Sequence, residues 1–340
     1  MEKLRLGELS DLSVLLKDLI TSYNKMLGIV DNLNGITKQT KMLSFNSSIE
    51  AARAGEAGKG FQVISKHMQS LAEQSENANH TSLVTIGEMN KKIHDVVGVR
   101  TADIAYDVMD KIDRQLFERN CDTQIWATFD SVVEFLMNPT EENQGVVNNL
   151  LKHIVDLNVV YQDILLADIN GKVVAAAVRR EDIGEDVSDR RWYYPVKETK
   201  QVSASDMYYS RTCGEYSMAY SSPVLSSSGE MVGILSTRYD WNYIYDIVDH
   251  AKVSDKGEIY VINKEGKVIA SKNRDEILEK DLSDTEAAKQ LNINKEYGYL
   301  LEEDQKGNIL SATGFARSRG YSTYSGKEWS VIVREPFSDM

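Results

Sequence analysis

Residues 36–74 read ITKQTKMLSFNSSIEAARAGEAGKGFQVISKHMQSLAEQ. Gly55, Gly58 and Gly60 sit close together in this stretch, and glycine permits the positive φ of a tight reversal. Upstream, Leu9, Leu12, Leu16, Leu19, Tyr23, Met26, Val30 and Leu33 follow alternating steps of three and four. That is an a/d seam, which wants partner helices. The register continues through Thr37, Thr40, Ser44, Ser47 and Ala51, small or polar residues that let helices approach with little burial. Beyond the glycines a second seam runs Ile64, Met68, Leu71, Ser75, Ala78, Ser82, Ile86, Met89, Ile93 and Val96. The pattern predicts an antiparallel helical hairpin over residues 1–98, turning near 55–60, with arms about 70 Å long at about 1.5 Å per residue. Two hairpins would form a four-helix bundle in a homodimer. Periodicity alone equally permits an ordinary dimerising coiled coil.

The composition fits this reading. The chain has 340 residues, 52 acidic and 39 basic side chains and a net charge of −13. A surface of that sign repels phosphate backbones, so no nucleic-acid partner is expected. Cys121 and Cys213 are the two cysteines, too few for a disulfide framework and without a zinc-type spacing. No apolar run approaches the roughly 18 residues of a membrane span, and the N-terminus lacks a signal-peptide core. The expectation is a soluble cytoplasmic protein without membrane contact, metal or cofactor. The first of four prolines is Pro139, while 15 of the 17 tyrosines follow residue 160. Proline-free sequence permits long helices and aromatic residues suit sheets, so the chain divides into a helical front and a β-rich back. The fold class is α+β.

The 36–74 stretch, and IEAARAGEAGKGF from Ile49 to Phe61 above all, resembles the hairpin tip of methyl-accepting chemotaxis proteins. The resemblance implies docking to a CheA-type histidine kinase and a CheW-type adaptor, with Glu50, Arg53 and Glu56 making polar tip contacts and Val63 and Ile64 on the adaptor-facing stretch. Lys38 stands where that family usually has a hydrophobe at its trimer contact, and charges around a symmetry axis repel one another. The arms are short and carry no paired glutamates far from the tip, so no methylation is expected.

The back half repeats itself. Leu166-ADINGKVVA-Ala176 and Val261-INKEGKVIA-Ser271 align without a gap, each a strand, a polar turn closing on Gly171 or Gly266, and a strand. Such turns between β-branched runs are hairpin signals. Further hairpins follow, Tyr216–Val224 with Met231–Tyr239 and Ile309–Ala316 with Trp329–Val333. Before them, residues 99–138 read as one long helix ending at Asn138–Pro139. The order resembles a double Cache (dCache) sensor domain over residues 99–335. The implied layout is two PAS-like antiparallel modules, about 160–245 and 255–335, mounted on that helix. The string Asp186-Val-Ser188-Asp-Arg190-Arg-Trp192-Tyr193 resembles the family's ligand motif. By that resemblance Arg190, Trp192, Tyr193 and Tyr208 are pocket residues. An arginine fork suits a carboxylate, and aromatic walls exclude water. The family's ammonium-binding aspartate is replaced by Arg238, and Glu185 stands at a usual tyrosine. An α-amino group would meet a cation, so a small carboxylate or dicarboxylate is the expected ligand. Each residue also has a structural reading. Trp192 and Tyr193 suit a core, Arg190 could bond Asp186 or Asp189, and Arg238 could pair with Glu215. The second module offers no comparable cluster and reads as structural.

No catalytic motif is present. The histidines are scattered, GEAGKGF lacks phosphate-loop spacing, and no nucleophile elbow occurs. The expectation is a chemoreceptor-like signal transducer and not an enzyme. The alternative is a ligand-binding dimer whose hairpin is only a dimerisation rod.

Overall fold

A computed structural model describes residues 12–210, 213–293, 295–305 and 309–337. Helix α1 (Leu12–Arg53) and helix α2 (Lys59–Trp126) are joined by a 3₁₀ turn at Gly55–Gly58. Gly55 has φ +54°, which glycine adopts without strain. Gly58 is needed for a different reason. A Cβ there would lie 2.1 Å from the carbonyl oxygen of Ala51, so backbone touches backbone where the helices separate.

One compact unit contains the described residues of 1–100, 300–312 and 335–340. On the two arms, buried residues recur every seventh position: Val30, Thr37, Ser44 and Ala51 on α1, and Ser65, Ala72, Asn79, Ile86 and Ile93 on α2. They are placed symmetrically about Gly58. The middle of the seam is polar. Thr37 Oγ1 lies 2.8 Å from Ser75 Oγ and accepts from Asn79 Nδ2 at 3.4 Å, and Lys41 reaches Glu76 at 2.7 Å. Of the expected seam, Val30, Thr37, Ser44, Ala51, Ile86 and Ile93 are buried within the single hairpin. Leu19, Met26 and Leu33 on α1, and Ile64, Leu71, Met89 and Val96 on α2, are exposed. The reason is that each arm carries two adjacent apolar faces, and only one meets its sister arm. Leu9 lies outside the described residues, as do the side chains of Leu12 and Leu16. Further along the chain this unit includes a small core in which Val97 and Ala312 pack with Leu301 and Phe337.

The second unit holds residues 101–299 and 313–334. The helix expected to run unbroken to residue 138 stops at Trp126, and α3 (Asp130–Met137) and α4 (Glu141–Leu157) follow. The break needs neither glycine nor proline. Thr128 gives both its amide and its hydroxyl to the carbonyl of Ile125, at 3.0 and 2.7 Å, and Trp126 is buried edge-on against Tyr161 at 5.2 Å.

The first β module contains β1 (Tyr161–Asp168), β2 (Val173–Ala176), β3 (Ser203–Ala204), β4 (Tyr208–Ser210), β5 (Glu215–Met218), β6 (Tyr220–Leu225) and β7 (Met231–Asp240). Its order is β2-β1-β7-β5-β4, with β6 also on β7 and β3 on β6. Since β5 and β6 are separated by Ala219 alone, they act as one broken strand. Helix α5 (Tyr194–Thr199) lies between β2 and β3, and α6 (Asn242–Asp249) follows β7. The second module repeats this order with β8 (Glu258–Ile262), β9 (Val268–Ser271), helix α7 (Glu286–Asn292), β10 (Tyr297–Glu303), β11 (Ile309–Arg317) and β12 (Ser330–Pro336). Its strands run β10-β11-β12-β8-β9. The molecule is thus α+β, a long helical hairpin with two antiparallel β modules.

Helix α2 is tied to both modules by buried charge. Asp113 accepts from Ser318 Oγ at 2.6 Å and from the amides of Arg319 and Gly320 at 3.0 Å. Arg119 bonds Asp122 at 3.1 Å, and Asp122 accepts from the Tyr161 hydroxyl at 2.8 Å.

Two glycines of the turn separate a close approach from mere flexibility. Gly58→Ala forces a backbone clash and is expected to lower the thermal midpoint of the helical signal. Gly60→Ala meets nothing within 4 Å and is expected to be neutral or stabilising, by up to about 1 kcal/mol. Circular-dichroism melts of both variants check this; equal effects would remove the close-approach account.

Candidate ligand-binding site

The site begins with a turn that the sequence writes twice. Asp168 Oδ1 accepts from the amides of Asn170 and Lys172 at 2.9 and 2.8 Å, and closes the β1–β2 hairpin on Gly171 (φ +88°). A Cβ on Gly171 would sit 2.7 Å from Ser188 Cβ. Asp186 in turn takes the Ser188 amide at 2.9 Å, and this bond holds its carboxyl below the usual carboxylate range. The second module repeats the glycine and Asp-x-Ser parts, with Asn263 in place of Asp168 accepting from the Lys267 amide at 2.9 Å. A Cβ on Gly266 (φ +84°) would meet Ser283 at 2.6 Å, and Asp281 accepts the Ser283 amide at 2.9 Å. The Asp-x-Ser half of the motif is therefore scaffold. Sequence reading missed its second copy, although Asp281-Leu-Ser283 stands in the same repeat. The other half diverges. Where the first module has Arg190, Trp192 and Tyr193, the second has Thr285, Ala287 and Ala288.

Below this turn lies a cavity of ≈ 780 Å³, within the range of small-molecule sites. Its lining includes Asp182, Glu185, Arg190, Trp192, Tyr208 and Arg238. Four of the five ligand residues expected from sequence therefore converge there. Tyr193 does not. It is 1% exposed, packs in the module core, and donates its hydroxyl to the carbonyls of Ile169 and Asp168 at 2.9 and 3.1 Å. The two successive aromatics meet edge-on at 6.0 Å in the same buried cluster, and only Trp192 also lines the cavity. Pro195 then enters the first turn of α5, where a missing N–H is harmless.

Arg238 is the most constrained cation. It lies on β7 directly opposite Asp163 on β1 and is 4% exposed. Its Nη1 donates to Ser236 Oγ and the Thr237 carbonyl at 2.8 and 2.9 Å. Its guanidinium carbon stands 4.6 Å from the centre of the Trp192 ring, a cation–π arrangement. Asp163 is occupied by the amides of Ile164, Val178 and Arg179 at 2.8–3.2 Å. Glu215, a candidate partner from sequence, instead accepts from Gln162 at 3.1 Å. Among the described residues no carboxylate lies within ion-pair distance of Arg238; its counter-charge is Asp163 across the strand pair, where Arg238 partly offsets the upward push of burial on the carboxyl. Arg190 is at the rim, about half exposed and 3.8 Å from Asp189, a separation of little energetic weight in water.

Asp182 is the buried acid of the cavity wall. Burial pushes its carboxyl above the ordinary range; Arg179, with Nε 3.5 Å away, pulls it back, and Glu185 pushes it up again.

At the hairpin tip, Glu50, Arg53 and Glu56 are exposed. Arg53 approaches Glu50 at 3.5 Å and Lys59 approaches Glu56 at 2.7 Å. Val63 and Ile64 are 56% and 55% exposed, an apolar pair open to solvent at the start of α2.

Residues 8–114 match the sequence profile of the methyl-accepting chemotaxis protein (MCP) signalling domain. Methyl-accepting chemotaxis protein PctB of Pseudomonas aeruginosa is 31% identical over 137 residues, 40% of this chain and 22% of that protein. Methyl-accepting chemotaxis protein I of Escherichia coli is 37% identical over 83 residues, 24% of this chain and 14% of that protein. The chain thus spans less than a quarter of the length of either relative. Its β modules have the fold of sensor domains. The ligand-binding domain of Campylobacter jejuni chemoreceptor Tlp3, in complex with L-valine, superposes with TM-score 0.54 at 14% identity, covering 73% of this chain and 96% of that one. The ligand-binding domain of Pseudomonas fluorescens chemoreceptor CtaA, in complex with L-serine, gives 0.51 at 15% identity, covering 71% and 98%. At such identity the likeness is one of fold.

The raised Asp182 carboxyl has a consequence for stability. The folded state holds that proton more tightly than the unfolded chain does, so the stability it contributes is present below the unfolded value and lost as pH rises through the folded one. Asp182→Asn removes the charge. The variant is expected to melt higher than the parent at pH 7.5, with the gap closing toward pH 4. A lower midpoint at pH 7.5 would contradict this.

Proposed function

We propose that this chain is a cytoplasmic chemoreceptor-type signal transducer. Its first β module binds a small carboxylate, and its hairpin tip docks a CheA-type histidine kinase and a CheW-type adaptor. One observation carries the reading: a chain matching the MCP signalling domain also contains a sensor-type module whose cavity is lined by a buried arginine with no ion-pair partner among the described residues. Arg238, braced by Ser236, Thr237 and Trp192, would take one face of the carboxylate and Arg190 would close from the rim. Charge-assisted bonds of this kind strengthen where water is excluded. An α-ammonium would lie beside the carboxylate and so against Arg238, which disfavours ordinary α-amino acids.

The proposal includes a homodimer. Leu19, Met26 and Leu33 with Leu71, Met89 and Val96 are exposed on the single hairpin, and a second hairpin would bury them in a four-helix bundle. Glu50, Arg53 and Glu56 would supply polar contacts to the kinase assembly, and Val63 and Ile64 an apolar contact to the adaptor. Ligand binding can shift signalling only if it favours one helix arrangement over another. A physical route begins at β7, which carries Arg238, passes to its neighbour β1, and reaches α2 through the Tyr161–Asp122 bond. No catalytic step enters the mechanism. The same exposed stripe also supports a second reading, in which the hairpin is a dimerisation rod without a kinase partner.

Two measurements test these assignments. Calorimetric titration with organic acids should give a site that Arg238→Met weakens at least tenfold; unchanged affinity removes Arg238 from the site. Purified kinase and adaptor should be captured by the chain and lost with Glu50→Lys or Arg53→Glu. Capture indifferent to both substitutions, or no capture, favours the rod.

A further inference from the structure

The two β modules follow one plan, so each position in one has a counterpart in the other. Leu165 faces Ala176 across β1 and β2; Tyr260 faces Ser271 across β8 and β9, with the bulge at the same step. The Val173 amide donates to the Glu185 carbonyl, and the Val268 amide to the Lys280 carbonyl. The 3₁₀ turn ending at Asp182 corresponds to the one ending at Glu276. Glu185 is therefore the counterpart of Lys280, and Asp182 of Glu276.

In the second module this position is filled from within. Lys280 Nζ lies 2.7 Å from Glu276 Oε1 and 2.6 Å from the Tyr260 hydroxyl, and 4.2 Å from the centre of the Tyr260 ring. Ser271 Oγ donates to Glu276 Oε2 at 3.0 Å. In the first module all three fillers are gone. Leu165 replaces Tyr260, Ala176 replaces Ser271, and Glu185 replaces Lys280. The acid alone survives. Asp182 is 6% exposed and lines the large cavity. Its cationic neighbour is Arg179, with Nε 3.5 Å away, while Glu181, Glu185 and Asp163 crowd it with negative charge. Asp182 therefore has one cation, Arg179, against three neighbouring carboxylates, while Arg238 faces an Asp163 whose oxygens are already held by backbone amides.

We infer that the ligand is a small zwitterion with its two charges several carbons apart, an ω-amino acid, its ammonium held by Asp182 and Glu185 and its carboxylate by Arg238 and Arg190. The ammonium of Lys280 is the second module's built-in equivalent of that group. The inference rests on reading the cavity as a carboxylate site, and narrows it. A dicarboxylate would bring a second anion to Asp182, whereas an α-amino acid would place its ammonium at Arg238.

The test is calorimetry on the 340-residue chain. The probes are 4-aminobutyrate and 5-aminopentanoate, with glutarate and adipate as length-matched dicarboxylates and L-norvaline as the α-amino isomer of 5-aminopentanoate. At least one ω-amino acid should bind tenfold or more tighter than its dicarboxylate and than L-norvaline. Asp182→Asn should cost the ω-amino acid at least tenfold and the dicarboxylate nothing. Glu185→Lys, which transplants the second module's filler, should abolish ω-amino acid binding; it also decides the matter if Asp182→Asn does not fold. Dicarboxylate or L-norvaline binding as tight as the ω-amino acids overturns the inference, as does either variant keeping the parent's preference. Binding of dicarboxylates alone sinks the inference and leaves the carboxylate reading standing. Binding of none of the probes sinks both.

Discussion

The β half of the molecule is organised by buried charge on a single helix. Asp113 and Arg119 on α2 are 2% and 7% exposed, and a charge removed from water must be met by good partners. Asp113 meets three donors from the loop between β11 and β12. Arg119 meets Asp122, Gln115 and Glu118, and its guanidinium stands 5.4 Å over the Tyr161 ring. Hydrogen bonds to charged groups are worth about 1.5–3 kcal/mol each, so these contacts fix where each module meets the helix more sharply than apolar packing could. Apolar contact slides, but a carboxylate with three donors does not. The close approach of Gly314, whose Cβ would lie 2.1 Å from the carbonyl carbon of Thr101, gives the same helix a second fixed point. The pairing of β1 with β7, and hence the setting of Arg238, is then referenced to α2 through Tyr161.

Much of this was legible in the chain, because the signals were local. The glycine cluster marked the hairpin turn, and the ADINGKVVA and INKEGKVIA repeats marked two modules, since a hairpin turn is encoded by a few adjacent residues. Four cavity residues were legible only through resemblance to a family's ligand motif: Arg190, Trp192 and Tyr208 by that motif, and Arg238 as the residue standing where the family has its aspartate. What was not legible depended on partners distant in sequence. The break at Trp126 comes from burial against Tyr161, and no proline or glycine marks it. Tyr193 could not be told from Trp192: both rings enter the same core cluster, but only Trp192 also lines the cavity, while the Tyr193 hydroxyl is spent on the carbonyls of Asp168 and Ile169. Leu19 and Met26 could not be told from Tyr23 and Val30, because apolar residues occupy two neighbouring faces and periodicity does not say which face meets the sister arm. Asp182 carried no pattern at all, and its meaning emerges only beside Glu276.

The comparison of the two modules separates what the fold requires from what the cavity uses. Gly171 and Gly266, Asp186 and Asp281, Ser188 and Ser283 are held in common and perform backbone work. Positions that differ line the space between helix and sheet. In one module this space is closed by Lys280 and Tyr260; in the other it stays open beneath Trp192. A scaffold with matching turns thus yields one lobe filled by its own side chains and one with a cavity, without altering strand order.

The symmetric spacing of buried residues about Gly58 restricts how the hairpin can change length. Val30, Thr37, Ser44 and Ala51 meet their opposite numbers only while both arms keep the same count from the turn. Inserting a single residue in either arm rotates everything beyond it by about 100°, turning Thr37 or Asn79 toward solvent and an apolar neighbour inward. The hairpin therefore keeps this seam only when both arms change length together and by whole heptads.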